Sequence, residues 1–117
     1  MQPKLNLRRN EIYMAKLPDT SSCVQYGRRP VLIVQNDVGN EKSPTTIIAP
    51  LTSRIKRPMP THVLLGAEVG LYVDSVVMCE QLMTVSKTIL EEYIGQVTNE
   101  QSVREINEAL KCSLGLK

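Results

Sequence analysis

The tetrapeptide Gly27-Arg28-Arg29-Pro30 sets two guanidinium groups directly before a strongly apolar run. Pro30 biases Arg29 toward extended backbone angles, so that side chain leaves the chain at a defined place, the rim of the sheet that follows. A guanidinium offers a planar fork of donors matched to phosphate. A solvated loop arginine pairs equally well with a surface carboxylate, and local chemistry leaves both readings open. Thr52 ends the segment TIIAPLT. Its hydroxyl either satisfies a nearby turn N–H or, if strand pairing carries it beside Arg29, adds a second donor to the same phosphate. Arg54, Lys56 and Arg57 follow, three cations in four residues before Pro58. Such a loop can track a phosphate backbone or simply remain solvated. Glu80-Gln81 is either a polar strand end or a pair suited to reading unpaired base edges.

The remaining chemistry is narrow. His62 is the single histidine and is expected to be a structural hydrogen-bonder. Asp19, Asp37 and Asp74 stand singly without metal-ligand spacing. No Cys/His or Ser/His nucleophile signature, phosphate-binding glycine loop or dinucleotide fingerprint is present. An enzyme built on this chain must work with arginine, threonine and backbone donors, and no metal or cofactor is expected.

The elements that must position these groups are mostly β-type. Glu11–Leu17 alternates apolar and polar residues, as a half-buried strand does. Pro30–Val34 is continuously apolar and β-branched, the pattern of a central strand buried on both faces, with proline tolerated at its first position. Thr46–Leu51, His62–Leu65 and Ser75–Cys79 are further strands, separated by Pro18-Asp19, Asn36-Asp37, Gly39-Asn40, Pro58, Pro60, Gly66 and Gly70. After Gln81 the period lengthens. Ser86 is placed to cap a short helix over Lys87–Tyr93 that Gly95 ends. Thr98 to Gln101 has capping-box spacing, and Val103, Ile106, Leu110 and Leu114 then form one apolar stripe on a terminal helix. Short strands closed by a packed helix imply a single mainly β domain over residues 1–117, a small and strongly bent sheet or barrel.

Composition bounds the rest. With 42% hydrophobic residues and 117 positions the chain can bury a core without staples. Trp and Phe are absent, so core volume comes from Leu, Ile, Val and Met, and the four tyrosines are few for a binder that relies on stacking. Cys23, Cys79 and Cys112 are odd in number and widely spaced, which is neither a disulfide framework nor a zinc site and suits a reducing, cytoplasmic setting. Met1–Arg9 carries no apolar run of signal-peptide length, and no membrane span is expected. Net charge is only +2, but Arg28, Arg29, Arg54, Lys56 and Arg57 crowd the first half while Glu91, Glu92, Glu100, Glu105 and Glu108 crowd the last third. That asymmetry hints at a polyanionic ligand.

Several ordered motifs together resemble one family. Arg29-Pro30-Val31-Leu32-Ile33-Val34-Gln35-Asn36-Asp37 resembles the RPVLVIQND core of MazF/PemK toxins. Arg9-Asn10-Glu11-Ile12-Tyr13 is similar to their opening RGDIY strand, and Ser43-Pro44-Thr45-Thr46-Ile47-Ile48 to their SPTVIV strand, with Thr52 following. Pro60-Thr61-His62-Val63, Asp74-Ser75-Val76 and Glu80-Gln81 match in order, so the likeness runs from about Arg9 to Leu114. It implies an SH3-like β-barrel of strongly bent antiparallel strands with a C-terminal α-helix, forming a homodimer with an RNA groove across the interface. It further implies sequence-specific cleavage of single-stranded RNA, usually mRNA, and neutralisation by a cognate antitoxin protein. On this resemblance Arg29 and Thr52 are catalytic, Glu80 and Gln81 contribute to RNA binding and Asn36 lies beside the groove; Arg28 and Arg54, as neighbouring cations, are added as RNA-binding candidates.

The implied reaction is attack by a ribose 2′-hydroxyl on its own 3′-phosphate, leaving a 2′,3′-cyclic phosphate and a 5′-hydroxyl. Arg29 suits electrostatic and acid roles, but its pKa above about 12 makes it a poor base, and the base stays open. The chain departs from the family at Ser22-Cys23-Val24-Gln25-Tyr26-Gly27, which replaces a Gly-rich GSEQGG-like loop and offers Tyr26 for stacking on a base. Met83 stands where an arginine is common, and Asn10 where a glycine is usual. Two other readings share the barrel: a CcdB-like gyrase poison that cuts nothing, and an inactive RNA- or antitoxin-binding module. The Arg29/Thr52 pair argues against the first, and the intact catalytic positions against the second.

Overall fold

The computed structural model describes residues 6–54 and 57–117. Seven strands and two helices follow in the order β1 (Glu11–Leu17), β2 (Gly27–Ile33), α1 (Asp37–Lys42), β3 (Thr45–Thr52), β4 (His62–Leu65), β5 (Ser75–Met78), β6 (Met83–Ser86), β7 (Leu90–Gln96) and α2 (Glu100–Leu114), with single 3₁₀ turns at Ala67–Val69 and Lys87–Ile89. All pairings are antiparallel, in the order β4-β5-β3-β2-β1-β7. The expected mainly β architecture with a C-terminal helix is present. Among the described residues its ladder does not close: β4 and β7 remain its two ends.

The apolar run at Val31–Ile33 has a direct cause. Leu32, Ile12, Ala49 and Leu51 face one core with Val77, Ile106 and Ala109. Their neighbours Val31, Ile33, Tyr13 and Ile48 face a second core with Val85 and Leu90. The middle strands are therefore covered on both faces, and apolar residues occupy consecutive rather than alternate positions. Within the second core Tyr13 donates from its hydroxyl to buried Glu11 at 3.1 Å, and burial, followed by the Glu11 charge, pushes the phenol's pKa up.

β5 and β6 act as one interrupted partner of β3. Leu51 pairs with Val77, while Ile48, three residues earlier, pairs with Met83, six residues later, so three residues are looped out between them. Glu80 and Gln81 lie in that bulge, lifted off the ladder, and the Gln81 N–H donates to the Met78 carbonyl at 3.0 Å. The strand at Met83–Ser86 was not legible in the sequence.

Several expectations are corrected. Lys87–Tyr93 is not a helix: Ser86 caps only a 3₁₀ turn, and Leu90–Gln96 is a strand whose Tyr93 pairs with Tyr13 of β1. The four-residue spacing of Leu90 and Ile94 suits helix and strand alike, and the open edge of β1 decides between them. Gly95 consequently ends nothing; it lies inside β7, where a Cβ would collide with the Val69 carbonyl. The stretch around Asn36–Asn40, expected to be turns, contains helix α1. At α2 the cap is Asn99, accepting from the Ser102 N–H at 3.0 Å, rather than Thr98. Gln101 bonds forward to Glu105 and Arg104 instead of back. The helix buries Ile106 and Ala109, and Leu114, expected in the stripe, is exposed.

Asn10 takes φ +74°, a left-handed conformation that favours glycine and is tolerated by asparagine. Its N–H donates to the Ile33 carbonyl at 2.8 Å and its carbonyl accepts from Val97 at 2.9 Å, so this corner ties β1 to both β2 and the segment before α2.

Candidate active site

A cleft of about 1170 Å³ opens where β2 begins and β3 ends. Arg28, Arg29, Thr52, Arg54, Tyr26 and Glu80 all line it, so six of the eight residues singled out from the sequence share one site. The register that sets Val31 opposite Pro50 and Leu32 opposite Ala49, carried two residues toward the start of β2, brings Arg29 opposite Thr52. The two strands are joined through α1.

Arg29 is fixed by backbone. Its Nε donates to the Tyr26 carbonyl at 2.9 Å and its Nη1 to the Leu51 carbonyl at 3.2 Å. A guanidinium has five N–H donors, so those two bonds leave three for a ligand. Among the described residues no carboxylate forms an ion pair with it. Burial lowers its pKa, Tyr26 opposes that shift, and the Arg54 charge adds to it. This is a partly dehydrated cation with no carboxylate partner among the described residues.

Thr52 makes the turn bond and also lines the cleft. Its Oγ1 accepts from the Arg54 N–H at 3.1 Å, the expected turn bond. Accepting uses a lone pair and leaves the hydroxyl hydrogen free to donate. The turn thus orients the donor.

The other cations differ. Arg28 pairs with Glu91 at 2.7 Å and Glu92 at 2.8 Å, and these bonds raise its pKa. Its charge is already offset. Arg54 and Arg57 are exposed and line the cleft, while Lys56 of the same loop lies outside the described residues.

Glu80 accepts from Thr61 Oγ1 and His62 Nε2, each at 3.0 Å. Burial works to raise its pKa, but bonds from His62, its own backbone N–H and Thr61 outweigh that and hold the carboxyl below its ordinary value. His62 is thereby the structural hydrogen-bonder expected, though it also lines the cleft. Cys79, next to Glu80, is no nucleophile: burial, with help from Glu80, pushes its thiol up to about 12. The Gln81 amide is occupied, accepting from the Gln25 N–H at 2.8 Å and donating to the Cys23 carbonyl at 3.3 Å. Asn36, expected beside the groove, is not among the cleft residues; its Oδ1 caps α1 through the Gly39 N–H at 2.8 Å, beyond the far end of β2.

Sequence reasoning missed Tyr72. It is fully exposed and lines the cleft with half-exposed Tyr26. Its setting in Gly70-Leu71-Tyr72-Val73-Asp74, a ring held in a turn, was the available signal. Among the described residues no group of three or more His, Cys, Asp or Glu side chains is disposed to hold a metal.

An antiparallel sheet with one C-terminal helix thus places Arg29 and Thr52 in a single basic cleft. The chain belongs to the PemK-like, MazF-like toxin family of type II toxin-antitoxin systems, whose pattern it matches over residues 8–114. It is 41% identical over 112 residues to the endoribonuclease MazF of Staphylococcus saprophyticus, covering 94% of this chain and 92% of that one. Among solved structures it is similar to a mycobacterial endoribonuclease in complex with its cognate antitoxin, at 31% identity and TM-score 0.79, covering 95% of this chain and 97% of the other. The MazF of Deinococcus radiodurans, at 22% identity and TM-score 0.79 over 94% and 97% of the two chains, shares the fold.

Proposed function

We propose that this chain is an endoribonuclease toxin that cuts single-stranded RNA, mRNA in particular, at a short preferred sequence without a metal. One observation carries the reading: Arg29, uncompensated and held by two carbonyls, stands across from the Thr52 hydroxyl in the same cleft. The identity to an endoribonuclease supports it.

In the proposed reaction the ribose 2′-hydroxyl gives up its proton to solvent water as its oxygen bonds to phosphorus. The bond to the 5′-oxygen breaks, giving a cyclic phosphate and a 5′-hydroxyl, with no side chain assigned as base. The free N–H groups of Arg29 bind the phosphoryl oxygens as charge grows on them, and the guanidinium protonates the departing 5′-oxygen. Thr52 donates to a phosphoryl oxygen. Preorganised donors of this kind contribute about 3 kcal/mol each. Arg54 extends the phosphate track, Tyr26 and Tyr72 offer faces to bases, and ionised Glu80 accepts from an exocyclic amine or a hydroxyl.

The exposed apolar side chains Met59, Tyr72 and Val73 around the cleft support a homodimer with the groove crossing its interface. An acidic antitoxin segment is proposed to occupy the same basic groove, as a complex is known for the mycobacterial relative. Among the described residues no helix is long and apolar enough to cross a membrane, and we place the protein in the cytoplasm.

The test is cleavage of a long defined RNA in excess chelator, with both ends of each cut mapped. Discrete cuts at a shared short sequence with 5′-hydroxyl ends are expected. Strict dependence on added metal, or 5′-phosphate ends, contradicts the mechanism.

A further inference from the structure

The segment between β1 and β2 touches the rest of the molecule through few polar bonds. Its internal ties are local: the Val24 N–H and the Cys23 N–H reach the carbonyl and hydroxyl of Ser21, both at 3.2 Å. Outward, among the described residues, its hydrogen bonds go to two side chains. One is Gln81, which takes the Gln25 N–H and gives to the Cys23 carbonyl. The other is Arg29, which donates to the Tyr26 carbonyl.

Gln81 is suited to this because a primary amide carries one acceptor and one donor group, as a peptide bond does. It can therefore meet an N–H and a carbonyl on either side of Val24 as a neighbouring strand would. The amide is itself held in place by the bulge that lifts Gln81 off the ladder. The loop also has a free pivot. Gly27 takes φ +82° with no atom within 4 Å of where a Cβ would stand.

These bonds form a chain: Gln81 fixes residues 23 and 25, residue 26 follows, and its carbonyl anchors the Arg29 guanidinium. We propose that Gln81 is a positioning residue, a latch that closes the β1–β2 loop onto the bulge and through Tyr26 sets the orientation of Arg29. The latch rests on the ribonuclease reading only for its effect on rate. In this role Gln81 acts on the reaction through Arg29 and does not read a base.

The test compares wild type with Gln81→Ala and Gln81→Glu by amide exchange at Gln25, the Arg29 Nε–H signal, and the kinetics of RNA cleavage. In Gln81→Ala, Gln25 exchange is expected to rise on the order of tenfold, with α2 unchanged. The Arg29 Nε–H should exchange faster, and kcat should fall several-fold while KM and the cut sequence hold. Gln81→Glu keeps the acceptor for the Gln25 N–H and should restore part of both the protection and kcat. Unchanged Gln25 or Arg29 exchange in Gln81→Ala overturns the latch. So does a shift in KM or cut sequence with kcat intact, which would make Gln81 a base reader. If wild type cuts no RNA, the ribonuclease reading fails, and the two exchange measurements still decide the latch.

Discussion

The two ends of β2 come from one continuous motif, Arg29 to Asp37, yet they do different things. At the first end an arginine is partly buried without a counter-charge, its donors turned toward a cleft. At the other end the amides and Arg9 are bonded to protein partners, and Asn10 Oδ1 is a buried atom there without one. Asn36 caps α1. Buried Asn40 bonds to Gln35, Thr46 and the Lys87 ammonium. Arg9 ties the Val34 carbonyl, at 3.0 Å, to Asn107 of α2 at 2.9 Å. At the first end Arg29 keeps donors unused by the protein, whereas at the other Asn36, Asn40 and Arg9 are committed to holding α1 and α2 in place. A shared motif is therefore not one site, and only the first end is expected to answer to RNA.

The contrast can be broken or sharpened by substitution. Arg29→Ala should lower the cleavage rate by about a thousandfold or more while the protein stays folded, since it removes both charge and donors. Single-turnover cleavage with circular dichroism checks both halves. Thr52→Val keeps the shape and deletes the hydroxyl, so about a hundredfold loss of rate with little change in RNA affinity is expected. An equal fall in affinity would make Thr52 a binding residue.

At the other end Asn36→Ala should cost about 1 kcal/mol of stability through loss of the cap, read by denaturant unfolding, and leave the cleavage rate unchanged. Loss of cutting at full stability would place Asn36 in the groove after all. The smallest effect concerns pH. The folded-state pKa of Glu80 is depressed, so its stabilising contribution is present above its unfolded value near 4.3 and is lost as pH falls through the folded value. Glu80→Gln should therefore flatten the acid end of the stability profile. An unchanged profile would mean that the His62 and Thr61 bonds do not favour the ionised form.

The first end was more legible than the second, for a physical reason. Arg29, Thr52 and Arg54 are chemistry-bearing residues beside prolines and strand ends, where type and position alone narrow the roles. Whether Thr52 met Arg29 was a question of register, and pairing across strands is invisible in a linear pattern. Gln81 and Asn36 lie outside the cleft lining, and their side chains were ambiguous in the sequence because amides serve turns, caps and ligands equally well. β7 was misread because Ser86 and Gly95 look like a helix cap and stop, and only the open edge of β1 selects the strand. The family likeness supplied a glycine at position 10, and the left-handed backbone of Asn10 explains why glycine suits it.

The most direct measurement sets the two ends against each other: cleavage rates of Arg29→Ala and Asn36→Ala on one RNA, in chelator, each normalised to folded dimer. The account predicts that the first is inactive and the second cuts like wild type, at the same sequence. Near-wild-type cutting by Arg29→Ala would contradict it, because the reaction would then not depend on the partly buried arginine that the two carbonyls hold in the cleft.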